Sequence, residues 1–188
     1  MYGNVLTNRQ LTRLIADKSL VIKPFQSTSL KEAAYTLNPG HVLKISDDGE
    51  WAVAHTFSAT KPTFTLKPNE YVVVQPKQDV IISVDGIIGT FIQASSNIEG
   101  GLLVVAGQID SQYGTKGEAL HFGVKNLLSS ENVISISTRL VHLQLIDLRG
   151  STADPVTRST EQIGIWEARR KDAKYERADS DGPLPPEA

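Results

Sequence analysis

Gln93-Ala94-Ser95-Ser96-Asn97-Ile98-Glu99-Gly100-Gly101-Leu102, followed after three residues by Ala106-Gly107-Gln108-Ile109-Asp110-Ser111-Gln112-Tyr113, is the stretch on which the reading of the fold turns. An apolar run, Ile87–Gln93, enters it, and a second, Leu102–Ile109, leaves the paired glycines. Two short apolar runs joined through Gly-Gly read as neighbouring strands rather than as a helix.

Outward from this centre the same rhythm repeats. Leu20–Lys23, His41–Ile45, Tyr71–Gln75, Val80–Val84, Ala119–Val124, Val133–Ser137 and Leu140–Ile146 all read as strands. Turn chemistry separates them: Asn38-Pro39-Gly40, Asp47-Asp48-Gly49, Lys67-Pro68-Asn69 and Asp85-Gly86. Many short strands at this spacing predict a mostly β fold, a distorted antiparallel β-barrel or a sandwich. No long helical pattern lies between them, which argues against a βαβ sheet, and no internal repeat is visible. One short helix opens the fold. Thr7 and Gln10 form a capping box, Leu6 and Leu11 have staple spacing, and Leu11, Leu14 and Ile15 share a face.

Composition narrows the function classes. The chain has 188 residues, 40% of them hydrophobic, enough for one core. A net charge of −2 does not suit a nucleic-acid binder but leaves room for a small anionic ligand. With no cysteine, disulfides, thiolate nucleophiles and Cys-based zinc sites are excluded, a Cys-liganded zinc deaminase included. Ser, His and Asp are present without a nucleophile elbow. Met1–Gln10 is polar and no run reaches the ~20 apolar residues of a membrane span, so a cytoplasmic protein without membrane contact is expected. Residues 1–150 are expected to form the domain and 151–175 a connector and basic arm with Arg169, Arg170, Lys171 and Lys174. The acidic, proline-rich residues 176–188 are expected to form a disordered tail.

Three groups of residues carry chemistry. Ser95 and Ser96 offer hydroxyls beside turn amides, a combination that holds phosphate oxygens; the same hydroxyls equally satisfy their own turn. Asp110 with Tyr113 has the residue types to grip a deoxyribose, and Asp110 equally closes a turn. Lys174, within Asp172-Ala173-Lys174-Tyr175, can fold over a phosphate or remain a solvated charge.

Taken in order, these segments resemble the dCTP deaminase and dUTPase superfamily, on its dCTP deaminase-like branch. Leu6-Thr7-Asn8-Arg9-Gln10 and Leu20-Val21-Ile22-Lys23-Pro24-Phe25 are similar to the deaminase opening. Ala33-Ala34-Tyr35-Thr36-Leu37 resembles an Ala-Ser-Tyr-Asp-Leu motif, and Asn69–Gln75 the strand before the central sheet. Ala94–Leu102 stands at an Arg-Ser-Ser-Leu-Ala-Arg-x-Gly-Leu motif and Ala106–Tyr113 at Ala-Gly-x-Ile-Asp-x-x-Tyr. Asp172–Tyr175 is similar to the deaminase tail. The resemblance implies a homotrimer with sites at subunit interfaces. It also implies a deoxynucleoside triphosphate ligand, magnesium on its phosphates, no zinc, and a glutamate acid/base for converting dCTP to dUTP.

The departures fall on that chemistry. His121 stands at the glutamate's position, Ala94 and Glu99 at the two arginines, and Thr36 at the Asp. A lost acid/base costs ~10²–10⁴ in rate. A carboxylate 4 Å from a phosphate charge costs ~4 kcal/mol at an effective dielectric of ~20, if Glu99 faces the ligand. Ser95, Ser96, Asp110, Tyr113 and Lys174 are therefore the expected ligand residues. His121, Ser95 and Asp110 are the expected catalytic ones, with no protein-held metal, and Lys116, Arg170 and Lys174 are candidate replacement cations. Three functions remain open: a dCTP-deaminating or dUTP-hydrolysing enzyme, an inactive nucleotide-binding pseudoenzyme, and a structural trimer with a vestigial pocket.

Overall fold

The computed structural model describes residues 4–46 and 49–149. Met1 to Gly3, Asp47, Asp48 and everything from Gly150 onward, including the basic arm with Arg170 and Lys174 and the acidic tail, lie outside the described residues.

The chain opens with β1 (Asn4–Val5) and α1 (Asn8–Ala16). Gln10 Oε1 accepts from the Thr7 backbone N–H and from the Thr7 hydroxyl, both at 2.9 Å, so the reach-back half of the expected cap is formed. Leu6 and Leu11 are each 2% exposed, as their staple spacing requires. Then come β2 (Leu20–Lys23), β3 (Tyr35–Leu37), β4 (Pro39–Ile45) and β5 (Trp51–Thr56). They are followed by β6 (Thr63–Leu66), β7 (Tyr71–Pro76), β8 (Asp79–Ile82) and β9 (Ile87–Gln93). A short helix, α2 (Ser95–Glu99), leads into β10 (Leu102–Val105), β11 (Gln108–Ile109), β12 (Phe122–Asn126), β13 (Asn132–Ser135) and β14 (Val141–Asp147).

The strands pair in antiparallel ladders. One five-stranded sheet runs β1-β14-β9-β11, with β3 also on β14; the other runs β10-β12-β7-β4-β5. The pairs β13-β6 and β2-β8 stand apart. The fold is thus mostly β, as expected, but no closed barrel is found among the described residues: the ladders are separate, and register shifts interrupt β4 against both neighbours.

Four local expectations need correcting. The Leu102–Ile109 run breaks at Ala106-Gly107, because β10 pairs with β12 whereas β11 pairs with β9. The run Ala119–Val124 begins pairing only at Phe122, so His121 precedes the strand instead of lying on it. Asn38-Pro39-Gly40 is not a hairpin turn. Its proline and glycine start β4, and a Cβ on Gly40 would sit 2.9 Å from Lys77 backbone atoms, so the missing side chain permits a close crossing. Ser95-Ser96 forms the first turn of α2 rather than a loop.

The core lies between the sheets. Phe122 is 1% exposed and meets Phe91 edge-on, with ring centroids 4.9 Å apart. Replacing Phe122 with alanine should lower unfolding free energy by about 3–5 kcal/mol through lost burial and a residual cavity. Urea titration reads this as a lower midpoint at unchanged slope; a loss below about 1 kcal/mol would contradict the packing described.

Candidate functional site

The β9–β14 ladder sets the geometry, with seven register pairs from Val141↔Gln93 to Asp147↔Ile87. At the Gln93 end, Ala94 turns inward, 1% exposed, and α2 follows. The Gln93 side chain stands in for a strand: its Nε2 donates to Leu102 O at 2.6 Å and its Oε1 accepts from Val104 N–H at 3.2 Å. Asn97, 3% exposed, donates from Nδ2 to the carbonyls of Arg139 and Leu140, both at 2.9 Å. Asn38 Nδ2 donates to Thr138 O at 3.0 Å, and Leu140 N–H to Leu37 O at 2.9 Å. The loop bearing Arg139 is therefore held at three consecutive carbonyls.

Next to this loop lies a cleft of about 370 Å³. Pairing of β3 with β14 puts Thr36 opposite His142, where the Thr36 hydroxyl lies 3.1 Å from His142 Nδ1. Lys77 N–H donates to Asn38 O at 2.8 Å, which draws Lys77 to the same rim. Lys31 N–H donates to Ala34 O at 2.8 Å in the turn before β3. Lys31, Lys77 and Arg139 line the cleft with Thr36, Gln78 and Ser137, and no carboxylate does. A second cleft of about 310 Å³ adjoins it through Ser137 and Arg139 and includes Ser96 and Asn97.

Several expected residues can now be placed. Ser96, exposed, lines the second cleft with Arg139; Ser95 and Glu99 are exposed and line neither cleft. Glu99 is thus not a wall of either cleft, although it lies on α2 beside Ser96 and Gly100, which line the second. Asp110 and Tyr113 lie at the other end of β9. Ile109 pairs with Gly89 near the start of that strand, so about 17 Å of strand, at ~3.4 Å per residue from Ile88 to Gln93, separates Asp110 from the end where α2 and its serines begin. Ser111 Oγ donates to Ile87 O at 2.9 Å, and Tyr113 O accepts from Ile82 N–H at 2.9 Å, fixing the Asp110–Tyr113 turn. Tyr113 packs on the core. Lys116 lies exposed in the following turn and lines neither cleft. His121 sits beyond the Val105↔Gly123 end of the β10–β12 ladder, away from α2. The sequence reading missed Lys31, Lys77 and Arg139, because only the β3–β14 pairing and the Lys77–Asn38 contact gather them.

Burial pushes the His121 imidazole below its ordinary value, a backbone hydrogen bond at Ala119 pulling the other way. His142 is lowered first by burial, then by the charges of Arg139 and Lys31; His41 is lowered by burial. For each, the folded state binds a proton less readily than the unfolded chain, so the stabilising effect is complete above about pH 6.5 and is lost as pH falls through the folded values.

No cluster of three or more His, Asp or Glu side chains fit for a metal ion exists among the described residues. With Thr36 where the resemblance has Asp, the donors of the cationic cleft do not fit a divalent cation, which takes carboxylate oxygens. No helix among the described residues is long and apolar enough to cross a membrane.

No family model matches the sequence, and no curated protein matches it significantly. Solved structures share its fold. The 2'-deoxycytidine 5'-triphosphate deaminase from Agrobacterium tumefaciens superposes with a TM-score of 0.60 at 11% identity, over 89% of this chain and 54% of that one. The chain thus spans about half the length of that deaminase. A mutant dUTPase from phage phi11 of S. aureus, described with a structural Mg(II) ion, gives 0.46 at 15% identity over 74% and 97% of the two chains. The native EIAV dUTPase gives 0.39 at 14% over 66% and 97%. The chain shares the fold of that dCTP deaminase.

Two outcomes are expected. Asn97→Ala should cost about 2–4 kcal/mol, because two carbonyls of the Arg139 loop lose their donor in a buried setting; chemical denaturation measures it, and a loss within ~0.5 kcal/mol would contradict the anchoring role. Unfolding free energy should already fall between pH 7.5 and 5.5, and His121→Gln should flatten that fall; a flat profile in the wild type would contradict the buried, neutral histidines.

Proposed function

We propose that the protein binds a nucleotide at a site shared between copies of the chain and does not deaminate dCTP. The observation that carries this is the cleft where Ser96 and the pinned Arg139 adjoin Lys31 and Lys77 with no lining carboxylate. It has the charge and donors that phosphate oxygens require. The replacement cations are these three rather than Lys116.

Sharing between copies is supported by the strand arithmetic: the Ser96 end and the Asp110–Tyr113 end are farther apart than the sugar and phosphates of one nucleotide. In a homotrimer, as the resemblance implies, the cleft of one copy would receive phosphates while Asp110 and Tyr113 of a neighbour hold the sugar. Val105, Leu103 and Ile92 leave apolar surface on β10 and β9 for such contacts. Inactivity is supported by the absence of the motif arginines, Ala94 being buried and Glu99 exposed, and by His121 standing for the glutamate. Lys174 remains a proposed contact from the arm.

One observation favours a second reading, a nucleotide-converting enzyme. Burial keeps His121 neutral near pH 7, the form in which imidazole accepts a proton.

Calorimetry of the full chain against nucleoside and deoxynucleoside mono-, di- and triphosphates, with chromatography of the incubated mixtures, tests both. Binding of at least one member with every nucleotide recovered intact is expected. No binding by any member overturns the proposal; a deaminated or hydrolysed product lost in His121→Ala establishes the second reading instead.

A further inference from the structure

We infer that the Lys31–Lys77–Arg139 cleft holds a polyphosphate chain without a divalent metal, the three side-chain cations supplying the neutralisation that magnesium would otherwise provide. The inference deepens the nucleotide-binding reading and rests on it for the organic part of the ligand, though not for the anion chemistry.

Three features converge. The first is charge. Three cations line one cleft of about 370 Å³ with no carboxylate among its walls. Lys31, Lys77 and Arg139 take no part in the ion pairs Lys44–Glu70 and Arg149–Asp147. Their field is felt within the fold, since Arg139 and Lys31 both lower the His142 imidazole after burial has done so. Cations gathered without counter-charges repel one another, an arrangement that a multiply charged anion relieves and a divalent cation aggravates.

The second is rigidity. The Arg139 backbone is anchored by Asn97 and, one residue earlier, by Asn38. Lys77 is tied through its N–H to Asn38 O, so one residue braces two of the three cation-bearing segments. With the backbone already held there, only the exposed side chains remain to be ordered on binding.

The third is the floor. Gln78 is 2% exposed; its Oε1 accepts from Asn38 N–H at 3.0 Å, while its Nε2 reaches Asn38 Oδ1 only at 3.5 Å. That amide keeps donor capacity at the cleft. Thr36, 3% exposed, adds a hydroxyl shared with His142. The floor therefore offers the Gln78 amide as a neutral donor suited to phosphate oxygens and none of the carboxylate oxygens a divalent metal favours.

The test uses inorganic tripolyphosphate with the full chain. Calorimetry in EDTA should give binding at least as tight as in magnesium, weakening as salt rises. Lys31→Gln, Lys77→Gln and Arg139→Gln should each weaken it about tenfold or more. All three residues are exposed, and circular dichroism checks that the variants fold. In the wild type, the His142 ring signals should titrate at higher pH once tripolyphosphate is bound, because the anion offsets Arg139 and Lys31. Absence of binding, binding only with magnesium, binding indifferent to the three variants, or an unmoved His142 titration would each overturn the inference. Tripolyphosphate bound without metal while no nucleotide binds would leave it standing and overturn the nucleotide reading alone.

Discussion

Seven consecutive register pairs join Ile87–Gln93 to Val141–Asp147, and the rest of the molecule is arranged by that ladder. At its Gln93 end, the chain on one side turns into α2, and on the other it arrives from the Thr138-Arg139-Leu140 loop. Asn97 closes the junction by donating to two carbonyls of that loop. At the Ile87 end, Ser111 donates to the first residue of β9 and fixes the turn that carries Asp110 and Tyr113. A rigid strand thus keeps two chemically distinct sets of residues at opposite ends of one subunit. Their separation is a property of strand rise, and no side-chain movement within one subunit closes it.

That separation shapes the functional reading. A ligand using both sets would draw on two chains. The halves differ in kind. One is cationic and rich in hydroxyl and amide donors, suited to phosphate. The other pairs a carboxylate with an aromatic ring, suited to a sugar. The Thr36, Ala94, Glu99 and His121 positions, read from sequence as lost chemistry, take on different meanings in space. Glu99 is exposed and lines neither cleft, Ala94 is packed inward, and Thr36 belongs to a cleft whose charge comes from Lys31, Lys77 and Arg139.

Much of the fold was legible because period-2 runs and turn residues report local backbone preference. The cap at Thr7 and Gln10, the strands at Leu20–Lys23 and Ile87–Gln93, and the mostly β class follow from that. What was illegible depends on partners far along the chain. Ala106-Gly107 reads as part of one strand until β10 and β11 take different neighbours. Pro39-Gly40 reads as a turn until the crossing at Lys77 supplies the reason for glycine. Trp51–Thr56 escaped because its alternation is weak, Thr63–Leu66 because four alternating residues are a short signal, and a five-residue helix at Ser95–Glu99 has too few turns to show a period. At the site, Ser96 was legible from its motif. Lys31, Lys77 and Arg139 were not, because scattered cations carry no spacing until β3 meets β14.

The central claim, one ligand held by the cationic cleft of one chain and the Asp110–Tyr113 turn of another, is tested most directly by a crystal structure of the protein grown with a non-hydrolysable deoxynucleoside triphosphate. The account predicts phosphates against Lys31, Lys77, Arg139 and Ser96 of one copy, with the sugar against Asp110 and Tyr113 of its neighbour. A nucleotide bound wholly within one chain, or seated away from Arg139, would contradict it.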